Sequence, residues 1–474
     1  MRWTTTLTLT GTLFVVAACG DYRPFGGTLP FPTPAQHDLV VLTRPGALTY
    51  TADEQGNAAG IEHDLAELFA QELGVGIRYV VVPPEQMESE LANGRYHLAA
   101  AWLSPHADEG YAATPPLFQT RDTLAQHEAS LPLTDLGQLQ GKTVHAMAGT
   151  RQAATMQRLS RQIPDLKVVE VGQGTILDLL EALGERQVEY VAIDQTLEEI
   201  ANQYVPSLRA SLALSDEQPV VWLLGPRPNA ELAARANAFV ERIQHDGTLA
   251  RVEERYLGHV HRLNQADVTK FLGQMETTLP KLRRHFEAAE TVTGIDWRLI
   301  AAIAYQESHW DPNATSPTNV RGIMMLTEET ADRLGVGNRL DPRESILAGA
   351  RYLNLLKEQL DAPEPDRTWL ALAGYNIGPG HLNAARSLAR QQKADPNAWY
   401  EMKRILPLLA KPQYYERLKS GRARGGEAVI LVENIRSYYD ILVRHELPAR
   451  PVAPGVERMI GMQGGSAPGL KLRH

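Results

Sequence analysis

Apolar positions along this chain follow two different rhythms. In the first half, short apolar runs at 39–43, 77–82, 188–193 and 220–224 alternate with helix-like stretches at 61–73 and 176–183, the pattern of an α/β domain. Further along, Ile300, Ile303 and Ala304 recur at helical spacing behind Asp296, a short polar residue placed to cap a helix N-terminus. Continuing that face by three or four residues reaches Glu307, which aims its carboxyl group at the core side. Burial disfavours the charged form, and no Lys or Arg lies in 299–310 to offset it. Such a group holds a proton near neutral pH, as a general acid must. On the stripe alone, an ordinary half-buried glutamate bonded to nearby backbone fits as well.

Length and charge then divide the chain. Its 474 residues predict two or three domains, each able to bury a core. Residues 37–266 carry 17 Lys and Arg against 31 Asp and Glu, a net of −14, whereas residues 267–450 carry 25 against 23, a net of +2. An acidic first domain does not hold nucleic acid unaided, and a near-neutral second one can approach an anionic wall polymer. Ahead of both, residues 1–18 read as a signal peptide, too short to span a bilayer as a mature helix and ending in Val16-Ala17-Ala18 before Cys19. Cys19 is the only cysteine, so no disulfide forms within the chain. The lipobox-like setting assigns it to lipidation, an incidental cysteine after a plain signal peptide being the alternative. Residues 19–36, rich in Pro and Gly, read as a tether, and 451–474 as a disordered tail.

Candidate chemistry concentrates in residues 267–450. Glu307 and Ser308 end one helix and are followed by a turn containing Gly322, Met324 and Leu326; a helical stretch at 340–356, Tyr375 with Asn376, and Glu433 with Asn434 come later in order. This succession resembles the family 1 lytic transglycosylases, whose soluble-lytic-transglycosylase domain is mainly α and lysozyme-like. The resemblance implies that Glu307 protonates the bond between N-acetylmuramic acid and N-acetylglucosamine, then removes the muramoyl 6-hydroxyl proton, leaving a 1,6-anhydromuramoyl end. It also implies a peptidoglycan groove served by Ser308, Met324, Met325, Tyr375, Asn376 and Glu433. Read by themselves, Ser308 suits a helix cap and the methionines suit core packing. Tyr375 and Asn376 could equally tie two helices together, while Tyr415 offers an aromatic face to a sugar. Two departures stand out: Met325 replaces the family's usual glutamine, and Val320 with Arg321 replaces a small pair. The double methionine is similar to a membrane-bound subgroup of that family.

The first domain's opening, with Gly60-Ile61-Glu62 leading through Asp64 into a helix, a segment at 133–150 and the strand end at Asp194, resembles the family 3 periplasmic solute-binding proteins. That implies a bilobal α/β fold with a ligand cleft in which Asp194 meets an amino group. The arginine that grips an amino acid's carboxylate is missing; residues 107–110 read Ala-Asp-Glu-Gly instead. A muropeptide or other small wall fragment is therefore the expected ligand, a purely structural domain being the alternative. Gly172-Gln173-Gly174 lacks a dinucleotide fingerprint and the 14 histidines show no metal-ligand spacing, so no cofactor and no metal are expected. Arg417, Lys419, Arg422 and Arg424 suit a solvated turn or a mobile loop over substrate. The chain is thus expected to be a lipid-anchored, two-domain transglycosylase on the periplasmic face of the outer membrane. A lysozyme-type hydrolase, a non-catalytic wall sensor and a transport-associated binding protein are the alternatives.

Overall fold

The computed structural model describes residues 29–52, 56, 58–105, 111–225, 228–416 and 421–449. The leader with Cys19, the segment 107–110, Arg417 with Lys419, and the tail 451–474 lie outside the described residues.

The apolar runs become strands because helices cover them on both faces, which is what a run without alternation requires. Leu39–Thr43 is buried throughout and sits between Ile77–Val81 and Leu98–Leu103, parallel to both; antiparallel Gln218–Leu224 and Phe118–Thr120 complete a first five-stranded sheet. A second sheet runs Leu208–Ala213, Asp122–His127, Tyr190–Asp194, Thr143–Met147, Lys167–Val171. The chain crosses from first to second sheet between Thr120 and Asp122 and returns between Ala213 and Gln218, giving two lobes joined by two adjacent crossovers. Helix Ile61–Leu73 lays Ile61, Leu65, Ala66, Phe69 and Ala70 on the first sheet and ends at Gly74, whose φ of 69° suits a residue without a Cβ. The run expected at 188–193 forms its strand at Tyr190–Asp194, so Asp194 closes the strand and caps the next helix through Thr196 N–H.

From Gln265 onward the chain is helical. Its core gathers around Trp297–Ser308, whose residues 297 and 299–305 are buried. Beneath that helix Phe271, Tyr305, Trp310 and Tyr438 form a ring cluster with centroid separations of 4.5 to 5.4 Å, anchoring it to helix Gly425–His445. That last helix also reaches both lobes of the first domain. Arg436 donates to the backbone carbonyls of Glu254 and Arg255 on helix Thr248–Leu257, at 3.3 and 2.7 Å; Arg444 binds Asp178 and Glu181 on helix Ile176–Gly184. Ser437 Oγ donates to the His259 carbonyl at 2.9 Å.

Candidate active site

Asp296 accepts from the N–H of Arg298 and starts the acid-bearing helix; His309, at φ 51°, stops it. Trp310 is left-handed too, at φ 62°, which turns its indole back under the helix to donate to the Ala301 carbonyl at 2.8 Å. The helix therefore ends within two residues of Glu307, held by a buried aromatic rather than by chain continuity. Glu307 is half-buried, and desolvation pushes its carboxyl pKa up to about 8, with no charge among the described residues contributing.

Opposite the helix end, residues 321–326 form a tight turn in which Arg321 and Leu326 exchange backbone hydrogen bonds. Gly322, at φ 82°, must be glycine: a Cβ there would lie 1.8 Å from the Arg339 carbonyl oxygen. Arg339 donates to the carbonyls of Asn319 and Leu326, and Ser345 Oγ accepts from Met324 N–H at 3.3 Å, so the turn is fixed from outside. Ser308 Oγ lies 3.0 Å from the Ala304 carbonyl and 2.8 Å from that of Ile323. Its proton joins helix end to turn, so a bond to substrate at Ser308 would be one that its oxygen accepts.

Tyr375, on helix Asp366–Ile377, donates its hydroxyl to the Met324 carbonyl at 3.0 Å. Burial first, then the nearness of Glu307 and Tyr352, keep that phenol protonated well above its ordinary range. Helix end, turn and tyrosine thus meet around Glu307. Met324 brings only its backbone there, since its side chain is fully buried against Gly349; its expected place in the groove lining is corrected. Met325 is half-buried at φ 46°, Asn376 is exposed beside Tyr375, and Tyr415 is half-buried on the short helix Pro412–Tyr415.

Glu433 is a different matter. It is 2% exposed, and its oxygens take Trp399 Nε1 at 2.7 Å, Arg436 at 2.9 Å and Lys403 at 2.9 Å. Burial raises its pKa, but the charges of Arg436 and Lys403 and the bonds from Lys403 and Trp399 outweigh that and hold it below the ordinary value. Lys403 in turn binds Glu254 of the first domain. The expected substrate contact is therefore corrected: Glu433 is a structural charge at the domain junction. The sequence missed Tyr352, whose ring packs 5.3 Å from that of Tyr375; only helical spacing from the buried Ala348 could have placed it near the site.

In the first domain, Asp194 is also fully engaged. Oδ1 accepts from Thr120 and Thr196, and Oδ2 from Trp102 Nε1 at 3.1 Å and Arg151 at 2.6 Å. Arg151 binds Asp122 and, at 2.9 Å, Ser104 of the opposite lobe. A cation from the chain itself thus sits where the sequence placed a ligand's ammonium, and that expectation is corrected. Nearby, Glu62 is fully buried with Oε1 unpartnered; burial, opposed by the Trp102 N–H and Arg44, pushes its pKa up to about 8. Burial likewise lowers the pKa of Arg44. No group of His, Cys, Asp and Glu suited to a metal ion occurs among the described residues.

Known proteins divide the chain in the same way. Residues 39–259 match the model of bacterial extracellular solute-binding proteins, family 3, and residues 284–398 that of the transglycosylase SLT domain. An ancestral arginine-binding protein bound to arginine is similar over 46% of this chain and 97% of its own, at 19% identity and a TM-score of 0.42. Full-length relatives named membrane-bound lytic murein transglycosylase F are much closer. The one from Nitrosospira multiformis is 43% identical over 92% of this chain and 91% of its own length. That from Methylobacillus flagellatus is 41% identical over 89% and 91%. A solute-binding fold joined to a helical domain with a desolvated glutamate, matched over about nine tenths of both chains at this identity, makes the chain a member of the membrane-bound lytic murein transglycosylase F family.

Proposed function

We propose that the chain cleaves peptidoglycan between N-acetylmuramic acid and N-acetylglucosamine without consuming water. One observation carries this reading: Glu307 is desolvated and no second carboxylate among the described residues acts on it, whereas hydrolytic glycosidases usually work with a pair. Glu307 gives its proton to the bridging oxygen as the bond to the muramoyl anomeric carbon breaks. The resulting carboxylate takes the proton of the muramoyl 6-hydroxyl, whose oxygen closes on that carbon. The acid is restored and a 1,6-anhydro ring is left, with no external nucleophile. Tyr375, its own proton committed to Met324, offers an acceptor oxygen beside the acid.

The first domain, in this reading, senses or positions a wall fragment. Arg44 and the unpartnered oxygen of Glu62 are the groups left to meet it, and they suit a stem peptide bearing both carboxylates and N–H donors. Mass spectrometry of soluble products from purified sacculi tests both parts. Anhydromuramoyl ends are expected, released faster when free stem peptide is added; reducing ends would make the protein a hydrolase, and an unchanged rate would remove the sensing role.

Attachment to the periplasmic face of the outer membrane through an acylated Cys19 completes the proposal. No helix among the described residues is long and apolar enough to cross a membrane; in this reading the acyl chain on Cys19 holds the protein there. A Cys19→Ser variant is expected in the soluble fraction; its retention in membranes would point to another attachment.

A further inference from the structure

A second aromatic and an arginine prolong the line that begins at Glu307. Tyr352, half-buried on helix Pro342–Glu358, packs its ring at 51° to that of Tyr375. Over Tyr352 also lies Arg333, its guanidinium carbon 5.2 Å from the ring centroid. Arg333 ends helix Glu328–Arg333 directly after the turn that carries Met324, and it is exposed. Nearby Arg339 is spent on two backbone carbonyls, but among the described residues no carboxylate pairs with Arg333. The ring gives the guanidinium a cation–π contact on an otherwise exposed side chain.

We propose that Arg333, seated on Tyr352, binds a stem-peptide carboxylate of the glycan strand that Glu307 cleaves, and so makes the enzyme prefer peptide-bearing murein. This rests on the transglycosylase reading above. Hydroxyl and acetamido groups of the sugars are neutral, and the muramoyl lactyl group is an amide wherever a stem is attached, so none of these needs a fixed cation. The stem peptides carry carboxylates, whose two oxygens fit the guanidinium fork. Stacking on Tyr352 reduces the freedom lost when that contact forms, so a surface arginine gains selectivity it would lack on a free stem.

The test compares purified glycan strands that keep their stem peptides with strands stripped by an amidase. Arg333→Ala is expected to raise KM roughly tenfold on the peptide-bearing strands with kcat nearly unchanged, and to leave both constants alone on the stripped ones. Arg333→Lys, which keeps the charge and loses the fork, should fall between. An equal rise in KM on both substrates would assign Arg333 to the sugar backbone or to the muramoyl lactyl group, which the amidase leaves as a free carboxylate, and no change on either would make it a solvated surface residue; either result overturns the proposal alone. An unmodified protein that cleaves neither substrate would overturn the transglycosylase reading and this proposal with it.

Discussion

Glu307→Gln is expected to lower the rate of product release from sacculi by roughly 10³-fold, equivalent to about 4 kcal/mol of barrier. The amide keeps the shape of the side chain and its place at the helix end but can neither give the first proton nor take the second. On the proposed mechanism the same group serves both steps, so no other residue would fill in for half of the loss. The pH behaviour follows from the same desolvation. The acid is protonated below about 8 and ionised above it, so the rate of the unmodified enzyme should fall as pH rises through about 8. Stability moves with it. From the ordinary 4.5 up to about 8 the folded state holds a proton that the unfolded state has released, so stability declines across that window. The Gln variant lacks this slope, and its thermal midpoint should exceed that of the unmodified protein by a margin that grows from pH 5 to pH 8. A variant with a tenth or more of the original rate would remove Glu307 from the chemistry.

Arg436→Met should cost about 3–5 kcal/mol and lower the thermal midpoint by about 6 °C or more. Arg436 is 3% exposed and does two things at once: it balances Glu433 and it donates to two first-domain carbonyls. Removal leaves Glu433 buried with Lys403 as its one cation, and Lys403 is already shared with Glu254. Methionine fills much of the volume, so the loss reports charge and hydrogen bonds more than a void. Arg436→Lys keeps a charge but cannot span both carbonyls and Glu433, and should recover part of the loss. A midpoint within 1 °C of the original for the Met variant, measured by differential scanning calorimetry, would mean that the junction relaxes around the missing arginine.

Periodicity made the fold largely legible, because it reports which face of an element is buried. Helix Ile61–Leu73 and strand Leu39–Thr43 coincide with the stretches read from spacing alone, and Asp296 caps its helix as its side chain dictates. The same signal told which way Glu307 points. It could not tell which partner waits at the far end of a polar side chain. Glu433 sits in an apolar run next to a motif, yet its role is decided by Lys403, thirty positions away, and through Lys403 by Glu254. Asp194 is likewise settled by Arg151, a residue 43 positions earlier on a different element. Ser308 was open for a local reason: a hydroxyl at a helix end can cap, bind substrate or tie down a loop, and the approach of Ile323 shows only where its proton goes. Tyr352 and Arg333 follow from three separate elements converging on Tyr375.

The contact between Arg151 and Asp194 turns the first domain's cleft into a competition. A free amine seeking Asp194 faces a cation on the same chain, present at an effective concentration of millimolar order even for a loosely tethered group. Arg151 is also held in place by Asp122 and Ser104, so its advantage is greater than flexible tethering alone provides. On the proposed sensing role, a free amino acid would meet this resident competitor, and a ligand would have to make its contacts elsewhere in the cleft or bring enough of them to evict the arginine.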